Sequence, residues 1–94
     1  MLKVTNPFDQ SVIKELPLIG KQEVEQALTK AYSLFQNQSN WIPAHERIAI
    51  LERVAHIMNG RIDELTKTAA LEGGKPLTDS KIEVLRAING VKIA

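Results

Sequence analysis

The side chains in this sequence best suited to chemistry are two histidines, because imidazole binds metals and moves protons near neutral pH. His45 and His56 lie eleven residues apart in a segment whose apolar pattern predicts one helix. That spacing returns both to the same face, but at a rise of ~1.5 Å per residue it separates them by about 16 Å. Two ligands of one zinc ion cannot be so distant, since each bond is ~2.0 to 2.1 Å. We therefore predict two solvent-exposed histidines.

A second candidate is the Gly74-Lys75 pair, which resembles the end of a phosphate-binding loop. Such a loop requires a glycine five residues before Gly74 and a serine or threonine after the lysine. The sequence has Ala69 and Pro76 at those positions. Both mismatches argue against a phosphate-binding loop.

Catalysis by a nucleophile or by an acid and base has little support. The chain has no cysteine, which excludes a thiolate nucleophile and a cysteine-bound zinc. Ser33, Ser39 and Ser80 have no plausible triad partners. Glu72 stands out because a helix dipole disfavours an anion at the carboxyl end of a helix. A carboxylate there suggests a nearby cation, with plain solvent exposure as the alternative.

Composition describes an ordinary globular chain. Hydrophobic residues make up 44% of the 94 residues, charged residues 24%, and the net charge is +1, which fits at most one domain. Basic and acidic residues are interspersed, so no basic stripe is available for nucleic acid. The apolar runs are only a few residues long, which argues against a membrane span or a signal segment. We expect a cytoplasmic location and neither a nucleic-acid nor a membrane partner.

The elements that must position these side chains are a hairpin and helices. Residues 1–18 read as two β-prone segments around a turn, and residues 21–94 show helical periodicity. We predict about four helices: one from Gly20, one beginning at Pro43 and capped by a left-handed Gly60, a third ending at Gly73-Gly74, and a fourth with Thr78 as N-cap. The predicted fold class is mainly α with a short amino-terminal β-hairpin, in one partial domain spanning residues 1–94.

The apolar positions predict which helix faces are buried. We expect Trp41 to cover the ends of two helices as a packing plug. The predicted buried faces are Val24, Ala27, Leu28, Ala31, Leu34 and Phe35 on the first helix, Ile48, Leu51, Val54, Ala55 and Met58 on the second, Ile62, Leu65, Thr66 and Ala69 on the third, and Ile82, Leu85, Ile88 and Val91 on the fourth.

The order of several short motifs resembles the amino-terminal stretch of the NAD(P)-dependent aldehyde dehydrogenase superfamily. No single motif is decisive, and the resemblance, which covers nearly the whole chain, depends on their order and spacing. The motifs are Asn6-Pro7, Pro17-Leu18, Ala31 with Phe35, Trp41-x-Pro43, Glu46-Arg47 with Ile50-Leu51, Asp63-Glu64-Leu65, the run from Leu71 to Leu77, and Glu83-Val84.

The resemblance implies a part of the coenzyme-binding domain of an enzyme that oxidises an aldehyde to a carboxylic acid with NAD or NADP. It also implies that the catalytic and coenzyme-binding residues lie outside this stretch, so the chain alone is expected to be inactive and to bind no cofactor. Val4, Thr5 and Glu72 match positions where some relatives bind a monovalent cation. The implied partners are the remainder of the fold and further copies in a homo-oligomer, including a domain-swapped one. The alternative is a small noncatalytic helical interaction or oligomerisation module.

Overall fold

A computed structural model describes all 94 residues and confirms the predicted fold class. A two-stranded sheet precedes four helices, and a short 3-10 turn lies between the first two of them. In chain order the elements are β1 (Leu2–Thr5), β2 (Val12–Leu16), α1 (Lys21–Gln36), the 3-10 turn (Gln38–Asn40), α2 (Ala44–Asn59), α3 (Ile62–Gly73) and α4 (Leu77–Ile93).

The hairpin is antiparallel and irregular near its turn. Leu2 pairs with Leu16, and the register shifts between Val4 and Thr5, where a bulge lets Thr5 pair with Val12. A bulge increases the local twist of a strand pair. Both strands have one unpaired edge, because the sheet contains only these two strands.

Side chains in the turn hold its backbone. The Asn6 side-chain oxygen accepts the Phe8 N–H at 2.9 Å, and the Asp9 carboxylate accepts both the backbone N–H and the hydroxyl of Ser11, at 3.0 and 2.6 Å. Gln10 has a φ of 63°, a left-handed conformation that is uncommon outside glycine. Phe8, at the tip, is 92% exposed. The turn is therefore ordered by local hydrogen bonds and not by burial.

Helix α1 begins at a polar cap and packs on very little. The Glu23 carboxylate accepts the Gly20 N–H at 3.0 Å, which satisfies a donor that the helix itself leaves free. None of the sixteen residues of α1 is buried. The predicted buried face of this helix is thus uncovered in the chain.

Trp41 packs against the end of α1 and does not cover the ends of two helices. Its indole N–H donates to the Leu34 carbonyl at 2.9 Å, and its ring lies 5.9 Å from the Phe35 ring. The side chain remains 48% exposed. The prediction that Trp41 is a buried plug over two helices was wrong, since the side chain is half-exposed and its hydrogen bond and ring contact are both with α1.

The core forms where α4 packs against α2 and α3. Its buried apolar residues are Ala55 from α2 and Val84 and Ile88 from α4, and they are surrounded by the partly buried Met58, Ile62, Leu65 and Val91. Ser80 is fully buried one turn before Val84. The seam of α4 therefore follows a spacing of four residues.

That seam corrects the predicted face of α4. Ile82 and Leu85 are 45% and 44% exposed, although the periodicity predicted them to be buried beside Ile88. They line a groove between α3 and α4, whereas the buried seam of α4 follows Ser80, Val84 and Ile88. On α2, Ile48 and Val54 are likewise exposed, although both were predicted to be buried.

The junction between α2 and α3 is tighter than predicted. Gly60 has a φ of −76° and a ψ of −9°, a right-handed conformation, so the predicted left-handed cap was wrong. The Gly60 N–H donates to the carbonyls of His56 and Ile57, and the Arg61 N–H to that of Met58. The last turn of α2 tightens in this way and leads into α3 without a left-handed residue.

The turn between α3 and α4 does contain a left-handed glycine, as predicted for this pair of glycines. Gly74 has a φ of 64°, and a Cβ there would lie 3.3 Å from Pro7 of the hairpin turn. Pro76 is the N-cap of α4, which places Thr78 inside the first turn and corrects its predicted role. Pro43 similarly precedes α2 as its N-cap.

The overall shape is flat and extended. The radius of gyration is 17.7 Å and the principal extents are 48 × 35 × 15 Å, whereas a compact domain of this length has a radius of about 12 Å. The short dimension accommodates one layer of helices, each ~10 Å across. None of the helices combines the length and the apolar character needed to cross a lipid bilayer.

Replacing Gly74 by valine should lower the free energy of unfolding by about 1 to 2 kcal/mol, since a β-branched residue is strained in the left-handed region. Gly73→Val is the matched control, because Gly73 lies within α3 and its added atoms would meet only the flexible Lys75 side chain. Urea denaturation at one protein concentration measures both variants. Equal midpoints for the two would show that the left-handed turn is not required.

Candidate functional site

The two histidines are surface residues, as predicted. His45 and His56 are exposed on α2, and no group of three or more histidine, aspartate or glutamate side chains is positioned to hold a metal ion. Glu52, one turn before His56, forms no ion pair with it; the ion pairs of the chain join other residues. Neither imidazole has a partner that would prepare it to act as a base.

The Gly74-Lys75 turn serves the fold and does not form a phosphate loop. The Lys75 ammonium donates to the Glu83 carboxylate at 2.9 Å, across the turn between α3 and α4. Its positive charge is thereby matched within the chain, and Gly74 ends α3 in the left-handed conformation. Both features stabilise the connection between two helices.

The three titratable groups with shifted pKa values, Asp9, Arg61 and Glu64, lie on the surface. An active site would instead place such groups together in a cleft. The Ser11 hydroxyl, followed by the Ser11 N–H, lowers the pKa of Asp9 by hydrogen bonding to its carboxylate. The two hydrogen bonds between Arg61 and Glu64, together with their charge attraction, lower the pKa of Glu64 and raise that of Arg61. Exposed pairs of this kind stabilise turns and helix ends only slightly.

A groove of about 600 Å³ lies between α3 and α4. Leu77, Ile82 and Leu85 form its apolar wall, and Asp63 and Lys81 lie among its polar lining residues. No nucleophile is paired with a base in this groove. The groove is open to solvent, and its apolar wall offers hydrophobic contact to a ligand.

The residues predicted to bind a monovalent cation lie on two elements whose ends meet. Val4 and Thr5 are half-buried on β1, and Glu72 is exposed in the last turn of α3. Pro7, two residues beyond Thr5, packs against Gly74, two residues beyond Glu72. The Glu72 carboxylate takes part in none of the three ion pairs of the chain.

Comparison with known proteins identifies the family of the chain. The model of the aldehyde dehydrogenase family matches residues 1–94, the whole chain. This chain belongs to the aldehyde dehydrogenase family. It corresponds to an amino-terminal segment of that family, in agreement with the resemblance carried by its motifs.

Individual relatives agree with this assignment. The lactaldehyde dehydrogenase of Methanocaldococcus jannaschii is 31% identical over 93 residues, which are 99% of this chain and 20% of that protein. A malonate-semialdehyde dehydrogenase of Bacillus cereus is 36% identical over 91 residues, 97% of this chain and 18% of that protein. The aldehyde dehydrogenase segment therefore spans about a fifth of the length of the curated relatives it matches.

The fold of the segment is also found in a solved structure of the family. The glyceraldehyde-3-phosphate dehydrogenase GapN of Methanocaldococcus jannaschii, crystallised with NADP, superposes with a TM-score of 0.88 at 30% identity. The match covers 99% of this chain and 20% of GapN. The hairpin, α1 and the three packed helices thus occur in the same arrangement within a longer dehydrogenase chain.

The link from β2 to α1 has one glycine and not the several of a glycine-rich phosphate-binding turn. A pyrophosphate binds where a strand leads through a glycine-rich turn into the amino end of a helix. That one glycine is Gly20, and its N–H is already taken by the Glu23 carboxylate.

Proposed function

We propose that this chain provides the hairpin and one helical layer of the coenzyme-binding domain of an NAD(P)-dependent aldehyde dehydrogenase, as a single partial domain over residues 1–94. The family match over every residue carries the proposal. The full-length enzyme oxidises an aldehyde to a carboxylic acid in the cytoplasm. The relatives' names point to small aldehydes as its substrates.

The chemistry proposed for the full-length enzyme requires groups that the segment lacks. A cysteine thiolate attacks the aldehyde carbon, the resulting adduct gives up hydride to the nicotinamide, and water activated by a carboxylate releases the acid and restores the thiolate. The segment has no cysteine, and all of its carboxylates are exposed, on the four helices, the hairpin turn and β2. Its contribution is to support the domain that binds the coenzyme, NAD or NADP; the NADP bound to GapN makes NADP a candidate.

The isolated chain should neither oxidise aldehydes nor bind NAD or NADP, because it has neither a nucleophile nor a phosphate-binding turn. Absorbance of NADH or NADPH over a panel of aldehydes measures turnover, and calorimetric titration measures coenzyme binding. The lactaldehyde dehydrogenase of Methanocaldococcus jannaschii, assayed alongside, shows that the conditions support the reaction. Turnover above background, or saturable binding at micromolar coenzyme, would refute the proposed role.

We also propose that Val4, Thr5 and Glu72 retain part of a monovalent cation site, through main-chain oxygens of the strand and the carboxylate of the helix end. Two observations support it. The carboxylate is unpaired at the negative end of the dipole of α3, and the Pro7–Gly74 contact holds the hairpin turn against the turn that follows α3.

Sodium or potassium at about fivefold excess over its Kd should stabilise the fold by about 1 kcal/mol, which raises the melting temperature by several °C. The reference is the same concentration of tetramethylammonium. Glu72→Ala should abolish the difference, whereas Glu25→Ala, which removes an unpaired carboxylate from α1, should preserve it. Identical melting curves in all three salts would eliminate this site.

A second function, as a noncatalytic oligomerisation module, is favoured by one observation. Large apolar side chains are exposed on every helix, and surfaces of this kind mark interfaces. In isolation the chain would pair these faces with those of other copies, and the open edges of the hairpin would add strand pairing or exchange of an element. We propose a homo-oligomer on this ground.

A further inference from the structure

Asparagine followed by glycine occurs twice in the chain, as Asn59-Gly60 and Asn89-Gly90. In such a pair the backbone nitrogen of the glycine can attack the side-chain amide carbon, because glycine has no side chain to hinder the approach. The new carbon–nitrogen bond closes a five-membered succinimide, and the side-chain nitrogen leaves as ammonia. Water then opens the ring to aspartate or isoaspartate. The local structure determines which of the two pairs is free to react.

The pair Asn89-Gly90 is held inside a packed helix. A regular α-helix suppresses the attack, since the backbone N–H that must react is bonded to the carbonyl four residues earlier. The pair lies in α4 between the buried Ile88 and Val91, which packs against the core. Releasing the Gly90 nitrogen therefore disrupts part of the seam between α4 and its neighbours.

The pair Asn59-Gly60 lies where α2 ends. Asn59 is the last residue of the helix, and both residues are exposed. The Gly60 N–H is shared between the carbonyls of His56 and Ile57, at 3.2 and 3.1 Å. Such shared bonds are common at helix ends, which open more readily than helix interiors. Breaking this one moves exposed backbone, because neither residue of the pair belongs to the core.

We propose that Asn59 is a site of spontaneous deamidation, with the Gly60 nitrogen as nucleophile and water as the second reactant. Space around the nucleophile is available, because a Cβ built on Gly60 would meet only the carbonyl oxygens of Ile57 and His56, at 3.5 and 3.9 Å. The reaction needs no metal, cofactor or catalytic side chain. The site is therefore independent of the proposed dehydrogenase function.

The products change the junction between α2 and α3. Either product replaces the neutral Asn59 amide by a carboxylate, and isoaspartate also inserts one methylene into the main chain. The link between the two helices consists only of Gly60 and Arg61, so it has little length in which to absorb the insertion. The next residue, Ile62, packs against the core. Deamidation to isoaspartate therefore disturbs the packing of α3 on the seam.

The test measures both asparagines in one digest. Trypsin places them on separate peptides, residues 54–61 and 87–92, and mass spectrometry detects the mass gained when an amide becomes a carboxylate. The full chain is incubated at mildly alkaline pH, folded and in denaturing urea. In the folded chain Asn59 should react about tenfold faster than Asn89, since a helix end opens at a lower free energy than a core helix. In urea the two rates should agree within about threefold.

Gly60→Ala is the control variant, because its Cβ makes only ordinary contacts and hinders the attacking nitrogen. It should slow the reaction at Asn59 about tenfold and leave Asn89 unchanged. The Asn89 peptide also reports whether the variant stays folded, since unfolding would accelerate its reaction. A rate at Asn89 equal to or above that at Asn59 in the folded chain would overturn the proposal, as would a rate at Asn59 that Gly60→Ala does not lower.

Discussion

The structure depends on the seam where α4 packs between α2 and α3. Ala55, Val84 and Ile88 are the only buried apolar residues, and the partly buried side chains around them complete a small core. The helices α2, α3 and α4 pack side by side in a single layer. Contacts between neighbouring helices within the layer leave its upper and lower faces exposed. The exposed apolar face of α1, the groove beside α3 and the open hairpin edges follow from that constraint.

The hairpin and α1 are connected to the seam by few contacts, and this explains the extended shape. Pro7 packs on Gly74, and Trp41 closes the end of α1. Both contacts fix local geometry without burying a large side chain. In this aldehyde dehydrogenase segment, hydrogen bonds and close contacts fix the helix ends and turns. Large apolar side chains on the helix faces remain exposed.

The sequence predicted the elements because their signals are local. Apolar periodicity located the four helices, and the Gly73-Gly74 pair located the end of α3. Burial could not be predicted equally well, since it depends on which neighbours are present. Ile82 and Leu85 match a buried pattern yet are exposed, and Ser80 is fully buried although its type favours the surface. Gly60 was wrongly predicted to be left-handed because the short link to α3 allows a tightened helix end instead.

For the candidate site, the sequence shows directly that the chain has no cysteine and no glycine-rich turn. The contact between Pro7 and Gly74 could not be predicted from the sequence, because it joins residues far apart along the chain.

The central claim is that this chain is a structural segment of an aldehyde dehydrogenase whose chemistry resides elsewhere in the fold. The most direct measurement is the kcat/KM for lactaldehyde of a chimera in which this chain replaces the matching 93 residues of the Methanocaldococcus jannaschii lactaldehyde dehydrogenase. If the segment only supports the coenzyme-binding domain, the chimera should retain activity within about tenfold of the unmodified enzyme, a loss of no more than ~1.4 kcal/mol in transition-state stabilisation. A folded chimera that binds coenzyme but shows no turnover would contradict the claim, because it would mean that the replaced residues take part in the reaction.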